Sequence, residues 1–210
     1  MRTATKLAGI ALAAAMLHGC ASPEPRYYTL SGGAATTPAS PGAKPLWIEV
    51  APVRVPERLN RTQLVVADGT AGGVKVLDQS RWSAPLPDEL RDALSQQLQG
   101  GLGAVDIYQQ GLSEVEPVFR VTTEVVRLDA EVGQRAAATI AWTVRRLPDG
   151  KVQSGRTETE LPAPGQVDGV VNACRQIVAA TASDIAAGVQ SLRVQPRITP
   201  STTPGTTPVR

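Results

Sequence analysis

Pro117-Val118-Phe119-Arg120-Val121-Thr122-Thr123-Glu124-Val125-Val126-Arg127-Leu128 and, past a turn at Gly133, Ala136-Ala137-Ala138-Thr139-Ile140-Ala141-Trp142-Thr143-Val144-Arg145-Arg146 are the stretches whose reading decides the fold. Phe119, Val121, Thr123 and Val125 fall on every second position, and so do Ala136, Ala138, Ile140, Trp142 and Val144. A period of two is the period of a β-strand with one buried face. Two such runs joined at a glycine predict a long antiparallel hairpin. Pro148-Asp149-Gly150 turns the chain again into Val152 to Leu161, whose Thr and Glu content suits a strand wet on one face.

Downstream of this sheet, Pro162-Ala163-Pro164-Gly165 breaks the pattern. Val167, Val170, Val171, Cys174, Ile177, Val178, Thr181, Ile185, Val189 and Leu192 then keep steps of three and four, predicting a helix over 167–192. Upstream, Leu86, Leu90, Ala93, Leu94 and Leu98 predict another helix, opened by Arg81-Trp82-Ser83 with Ser83 as its cap and stopped at Gly100 and Gly101. Pro85 and Pro87 fit only a first turn. A short strand over 105–108 follows, with a loop over 109–116. Further upstream, Trp47 to Val53 reads as a strand with Ile48 and Val50 on one face, its Pro52 marking an edge or an end. Gln63 to Ala67 and Val74 to Leu77 read as a hairpin across Asp68-Gly69 and Gly72-Gly73. The expected fold class is α+β, a largely antiparallel sheet with two helices packed on one face.

The N-terminal residues carry a different message. Arg2 and Lys6 precede an apolar run from Leu7 to Leu17, the pattern of a secretory signal peptide, too short to span a bilayer. Leu17-His18-Gly19-Cys20 resembles a bacterial lipobox, from which His18 departs. The resemblance implies diacylglycerol on Cys20 and cleavage after residue 19; the alternative is an ordinary signal peptide with a chance cysteine. Ala21 stands where an inner-membrane retention signal would carry Asp, so the expected address is the outer membrane, on its periplasmic face. The expected organisation is a signal peptide over 1–19, a lipidated N-terminus and flexible linker over 20–45, one domain over 46–192 and a disordered Thr/Pro tail over 193–210. A leash from Cys20 to Trp47 would reach about 90 Å when fully extended.

Cleavage also bounds the chemistry. Lys+Arg falls from 21 to 19 and balances the 19 Asp+Glu, leaving a neutral chain with no basic patch and 3% aromatic residues, a poor composition for nucleic acid. His18, the only histidine, leaves with the signal. That removes Ser-His-Asp and Cys-His arrangements and the commonest metal ligand. With no Gly-x-Ser-x-Gly elbow either, no catalytic residue, metal site or cofactor is expected. Cys174 lies on the apolar stripe of the last helix and reads as an inert core residue. Trp82 and Trp142 read as core anchors, and Asp88, Glu89 and Asp92 as partners of a helix dipole. Gly100-Gly101-Leu102-Gly103 follows a helix instead of preceding one, so it reads as a C-terminal cap, not a phosphate loop. The single stripes on both helices leave no surplus apolar surface to line a lipid cavity. The loop from Arg54 to Gln63 is the exception: Arg54, Glu57, Arg58, Arg61 and Gln63 sit where turn chemistry does not demand them. Together with Arg81 and Trp82 they form the candidate partner-binding set; the plain alternative is a solvated loop over a sheet edge.

Arg26-Tyr27-Tyr28-Thr29-Leu30, the run Ile48-Glu49-Val50-Ala51-Pro52-Val53-Arg54-Val55-Pro56-Glu57-Arg58-Leu59-Asn60-Arg61-Thr62-Gln63-Leu64-Val65, and Arg81-Trp82-Ser83-Ala84-Pro85-Leu86 resemble, in this order after a lipobox, the PqiC-like family of ABC-type transport auxiliary lipoproteins. The resemblance implies an outer-membrane lipoprotein that works with an MCE-domain protein of an intermembrane system for phospholipid or another apolar solute. It implies a docking component, not a motor and not an enzyme, and a homo-oligomeric ring would suit a ring-shaped partner. A lipoprotein adaptor for a peptidoglycan synthase, or for a secretion or assembly pore, is the alternative within the same class.

Overall fold

The structure, a computed structural model, describes residues 24–32, 46–108, 110 and 115–194. The signal peptide with His18, the lipobox Cys20, most of the 109–116 loop and the tail beyond Val194 lie outside the described residues, as does 33–45 of the linker. Eight strands and two helices follow in the order β1 (Arg26–Tyr28), β2 (Leu46–Val50), β3 (Gln63–Ala67), β4 (Val74–Trp82), α1 (Leu86–Leu102), β5 (Ala104–Asp106), β6 (Val118–Glu131), β7 (Arg135–Leu147), β8 (Val152–Pro162) and α2 (Val167–Val194), with a 3-10 turn at Glu57–Leu59. The class is α+β and the pairing mostly antiparallel, as the alternation implies. In place of one sheet there are two, a five-stranded sheet in the order β5-β2-β6-β7-β8 and a three-stranded sheet in the order β1-β4-β3.

The long hairpin is the frame. β6 and β7 pair antiparallel from Val118 opposite Leu147 to Glu131 opposite Arg135. Their turn is made possible by Gly133, whose φ of 81° suits a residue without a Cβ. Phe119, Val121, Thr123 and Val125 are buried on one face, as the period requires. A bulge at Val126 then shifts the phase: Val125 faces Ile140 while Arg127 faces Thr139, so the even positions Leu128 and Ala130 take over the core face. One extra residue on one strand does this by construction. β2 pairs parallel with both β6 and β5, which makes it an interior strand; it ends at Val50, so Pro52 marks an end and not an edge. Leu46, Ile48 and Val50 of β2 face the core, and α1 and α2 cover that face with the residues that helical spacing had singled out.

Several boundaries differ from expectation. Arg81 and Trp82 end β4, which is longer than the sequence turn signals suggested; α1 begins at Leu86, with Pro85 as N-cap and no side-chain cap from Ser83. α1 continues through Gly100 and Gly101, and Gly103 is its C-cap. α2 runs two residues further, to Val194, and β5 is confined to Ala104–Asp106. The largest shift is at the N-terminus. Within the 20–45 segment, Tyr27-Tyr28-Thr29-Leu30 reads as a short β-prone piece ahead of the linker over 31–45; Arg26–Tyr28 is a strand paired with β4, and Leu30 behind it is 3% exposed in the core.

Trp142 locks the helix layer to the sheet. A Cβ placed on Gly155 of β8 would lie 2.3 Å from its indole, and one on Gly188 of α2 would lie 3.0 Å from it. Gly155 is therefore required by close approach, while a Cβ at Gly188 would need the ring to give by a few tenths of an ångström. Gly155→Val should destabilise the fold by about 1–3 kcal/mol through overpacking, seen as a fall in Tm of roughly 3–10 °C in a thermal melt.

Candidate functional site

The N-terminal segment is held by a small set of charged contacts. Glu89, in the first turn of α1, is 5% exposed. Its carboxylate accepts the Leu30 N–H at 2.7 Å, the Thr29 hydroxyl at 2.9 Å and the Ser83 hydroxyl. From α2, Arg175 donates twice to the Thr29 carbonyl, at 2.8 and 3.1 Å. β1 completes the hold: Ser83 N–H donates to the Tyr28 carbonyl at 2.7 Å, and Arg26 pairs with Asp168 at 3.4 Å. Burial, followed by the charge of Asp168, pushes the Tyr28 hydroxyl pKa up. Glu89 was expected to serve the helix dipole; buried, it serves as the acceptor for a whole segment. One signal for this stood in the sequence: Glu89 lies three residues after Leu86 and four before Ala93, on the apolar stripe, where a solvated acid does not belong.

The seven candidate contact residues do not form one patch. Arg54 and Arg58 run along β6: Arg54 forms an isolated parallel bridge to Glu124 and its guanidinium pairs with that side chain at 3.0 Å, while Arg58 pairs with Asp129 at 3.6 Å. Glu57 and Arg61 are exposed beside them, around the buried Leu59. Gln63 and Arg81 face each other across β3 and β4, half-buried. Trp82 is 4% exposed and presents no surface; of its two readings, contact residue and core anchor, burial leaves the core anchor. Tyr27, which the sequence reading left out, stands opposite Arg81 and is 63% exposed, the most exposed large apolar side chain among the described residues.

A surface cleft of about 610 Å³ lies between the β3–β4 hairpin and the outer half of β6. Its walls include the consecutive residues Val65 to Ala67 and Arg127 to Glu131, with Arg58 and Arg135 at the rim. Consecutive residues line a strand edge, whereas alternate residues line a face. Among the described residues both edges are open: β3 is terminal in its sheet, and β2 ends before β6 reaches Arg127. The interior offers no comparable space. The cavities among Leu59, Leu64, Leu90, Ile140 and Cys174 measure about 10 and 20 Å³, far below the roughly 300 Å³ of small-ligand sites.

The other charged cluster is structural. Asp106 accepts from Arg91 at 2.5 Å, from Ser95 at 2.6 Å and from the N–H groups of Val50 and Tyr108, tying α1 to the ends of β2 and β5. No group of three His, Cys, Asp or Glu side chains among the described residues could hold a metal, and no described helix is long and apolar enough to cross a membrane.

Fold and surface together define a single α+β domain entered through a docked N-terminal strand, with a charged ridge and an open-edged cleft. The family model for the ABC-type transport auxiliary lipoprotein component matches residues 28–186, and the chain belongs to this family. That is the PqiC-like family, and it is not a known family of enzymes. Two solved structures share the fold: one of an uncharacterized protein (20% identity, TM-score 0.62, 80% of this chain and 99% of that one) and protein XCC0632 from Xanthomonas campestris (16% identity, TM-score 0.53, 80% of this chain and 100% of that one). No curated relative matches.

Two outcomes follow from the site geometry. Glu89→Ala removes three hydrogen bonds and leaves the Leu30 N–H buried without a partner, at a cost of about 2–4 kcal/mol; in hydrogen exchange the amides of residues 26–30 should lose protection before those of β6 and β7. Burial pushes the Cys174 thiol pKa up to about 12, so the thiol stays protonated at pH 7 to 9. Alkylation of Cys174 should therefore follow the rate of global unfolding, and fast labelling of the folded protein would contradict this.

Proposed function

We propose that this chain is a non-enzymatic lipoprotein, anchored through Cys20 to the periplasmic face of the outer membrane, that docks an MCE-domain protein within an ABC-type system moving lipid or another apolar solute between membranes. Family membership supplies the transporter. The observation that supports docking is the cleft beside Arg58, bounded by two open strand edges. An edge offers unpaired N–H and C=O groups to an extended segment of another chain, and flanking side chains select which segment enters. Arg58 stands at this entrance, with Glu57 next to it in sequence and Arg54 and Arg61 exposed farther along the same loop. The ion pairs of Arg54 with Glu124 and of Arg58 with Asp129 are solvent-exposed and contribute about 0–1 kcal/mol each to stability, so these two arginines are open to exchange partners at little cost. Direct lipid carriage receives no support from cavities of about 10 and 20 Å³.

The test is copurification of the MCE protein with the acylated chain, repeated with Arg58→Glu and Arg61→Glu. Both positions are exposed, so Tm should hold within a few degrees. Capture should fall at least about tenfold, equivalent to about 1.4 kcal/mol. Unchanged capture would overturn the proposed surface.

A further inference from the structure

The tether is far shorter than the sequence suggests, and its length fixes which face of the domain meets the membrane. Resting on the reading of Cys20 as the acylated residue, we infer that the outer face of the β1-β4-β3 sheet, led by Tyr27, lies against the phospholipid headgroups. Six residue-to-residue steps, with five residues between, separate Cys20 from Arg26, the first residue of β1. At about 3.3 Å per residue they reach about 20 Å at full extension. A domain of this size has a radius of gyration of about 15 Å, hence a diameter of about 38 Å. A leash of half that diameter does not let the domain turn β1 away from the bilayer. The long stretch 33–45 adds nothing to the reach, because Leu30 on one side of it and β2 on the other both belong to the folded domain.

The face so placed has the composition for it. Tyr27, Arg81 and Gln63 form one row across β1, β4 and β3, on the side opposite the buried Trp82. Val76 adds a half-buried apolar position, and Val74, at the far end where the face meets the cleft, is 53% exposed. The helix layer lies on the other side of this sheet: Arg26, next to Tyr27, pairs with Asp168 of α2, and the buried Leu64 and Trp82 approach Val170 and Cys174. An exposed Tyr beside the anchor, backed by valines and an arginine, matches the side chains that settle at a headgroup interface, where an apolar ring and a polar tip are both satisfied.

The experiment uses the acylated full chain in vesicles of phosphatidylethanolamine and phosphatidylglycerol. A fluorophore is placed in turn at Tyr27→Cys and Ser154→Cys, and energy transfer to a headgroup-labelled phospholipid is measured. Ser154 is exposed on β8, next to the residue that contacts Gly188 of α2. That part of α2 lies about 30 Å along the helix from Asp168, the partner of Arg26. Strong transfer from position 27 and weak transfer from position 154 are expected. Val74→Glu, which charges the same face at an exposed position, should lower transfer from 27. Equal transfer from both positions, or transfer at 27 indifferent to Val74→Glu, overturns the orientation while leaving the anchor intact. A mass spectrum without acyl chains on Cys20 overturns the anchor itself, and the orientation with it.

Discussion

The buried carboxylate of Glu89 is the contact on which the organisation of this molecule turns. An ionised side chain removed from water costs several kcal/mol unless donors replace the lost hydration. Here three donors do so, and two of them belong to Thr29 and Leu30. The dependence runs both ways. Without the segment the carboxylate is unsatisfied, and without the carboxylate the Leu30 N–H is buried with nothing to bond. Arg175 repeats the logic from α2 by neutralising the Thr29 carbonyl with two N–H groups. A strand of three residues, β1, would be marginal if backbone pairing with β4 were its only hold. Held by Glu89, Arg175 and the buried Leu30 side chain, it becomes part of the core.

The second constraint is geometric. A regular β6 would keep its odd residues toward the helices along its whole length, and the hairpin would end as a flat ribbon. The bulge at Val126 turns Leu128 and Ala130 inward instead, where they meet Leu59, Leu64 and the N-terminal half of α2. The strand also bends and twists more sharply at such a point. Two consequences follow from the one extra residue. The three-stranded sheet acquires an apolar surface to rest on, and the outer half of β6 is carried away from β2, leaving the open edge that forms one wall of the cleft.

What could be read from the sequence follows from which signals are local. Alternation in 118–125 and 136–144 and the helical spacing in 86–98 and 167–192 are short-range, and burial follows them except at Val118 and Ala137, buried out of phase, and at the half-buried Val167. The family resemblance, carried by the same stretches, agrees with the family model. Parallel pairing of β2 between β5 and β6 was not legible, because parallel partners are far apart in sequence and no turn announces them. The split into two sheets was hidden for a related reason: Val125-Val126 reads as continuous strand, and only the register against β7 shows the bulge. Trp82 and Glu89 mark the limit for the site. Trp82 was given two roles, and tertiary burial selects one. Glu89 carried the signal of an acid on an apolar stripe, but its partners at Thr29 and Leu30 lie about sixty residues upstream. The seven contact candidates were neighbours in sequence motifs and divide in space, because Arg54 and Arg58 follow β6 while Arg81 follows β4.

That division bears on how the domain works at a membrane. If a short leash turns Tyr27, Arg81 and Gln63 toward the headgroups, those residues are unavailable to a protein partner. Arg58 remains at the cleft, with Arg54 and Glu57 exposed on the same loop. A partner that crosses from the opposite membrane must then bring its own extended segment to the cleft, since this domain does not travel out to meet it. On that reading the reach of the system resides in the partner, and this chain contributes a fixed receptor close to the bilayer. A flexible tether would raise the volume searched and dilute the effective concentration of the docking edge. A strand clamped by Glu89 does the opposite, holding the edge at one height, with an orientation set by the fold.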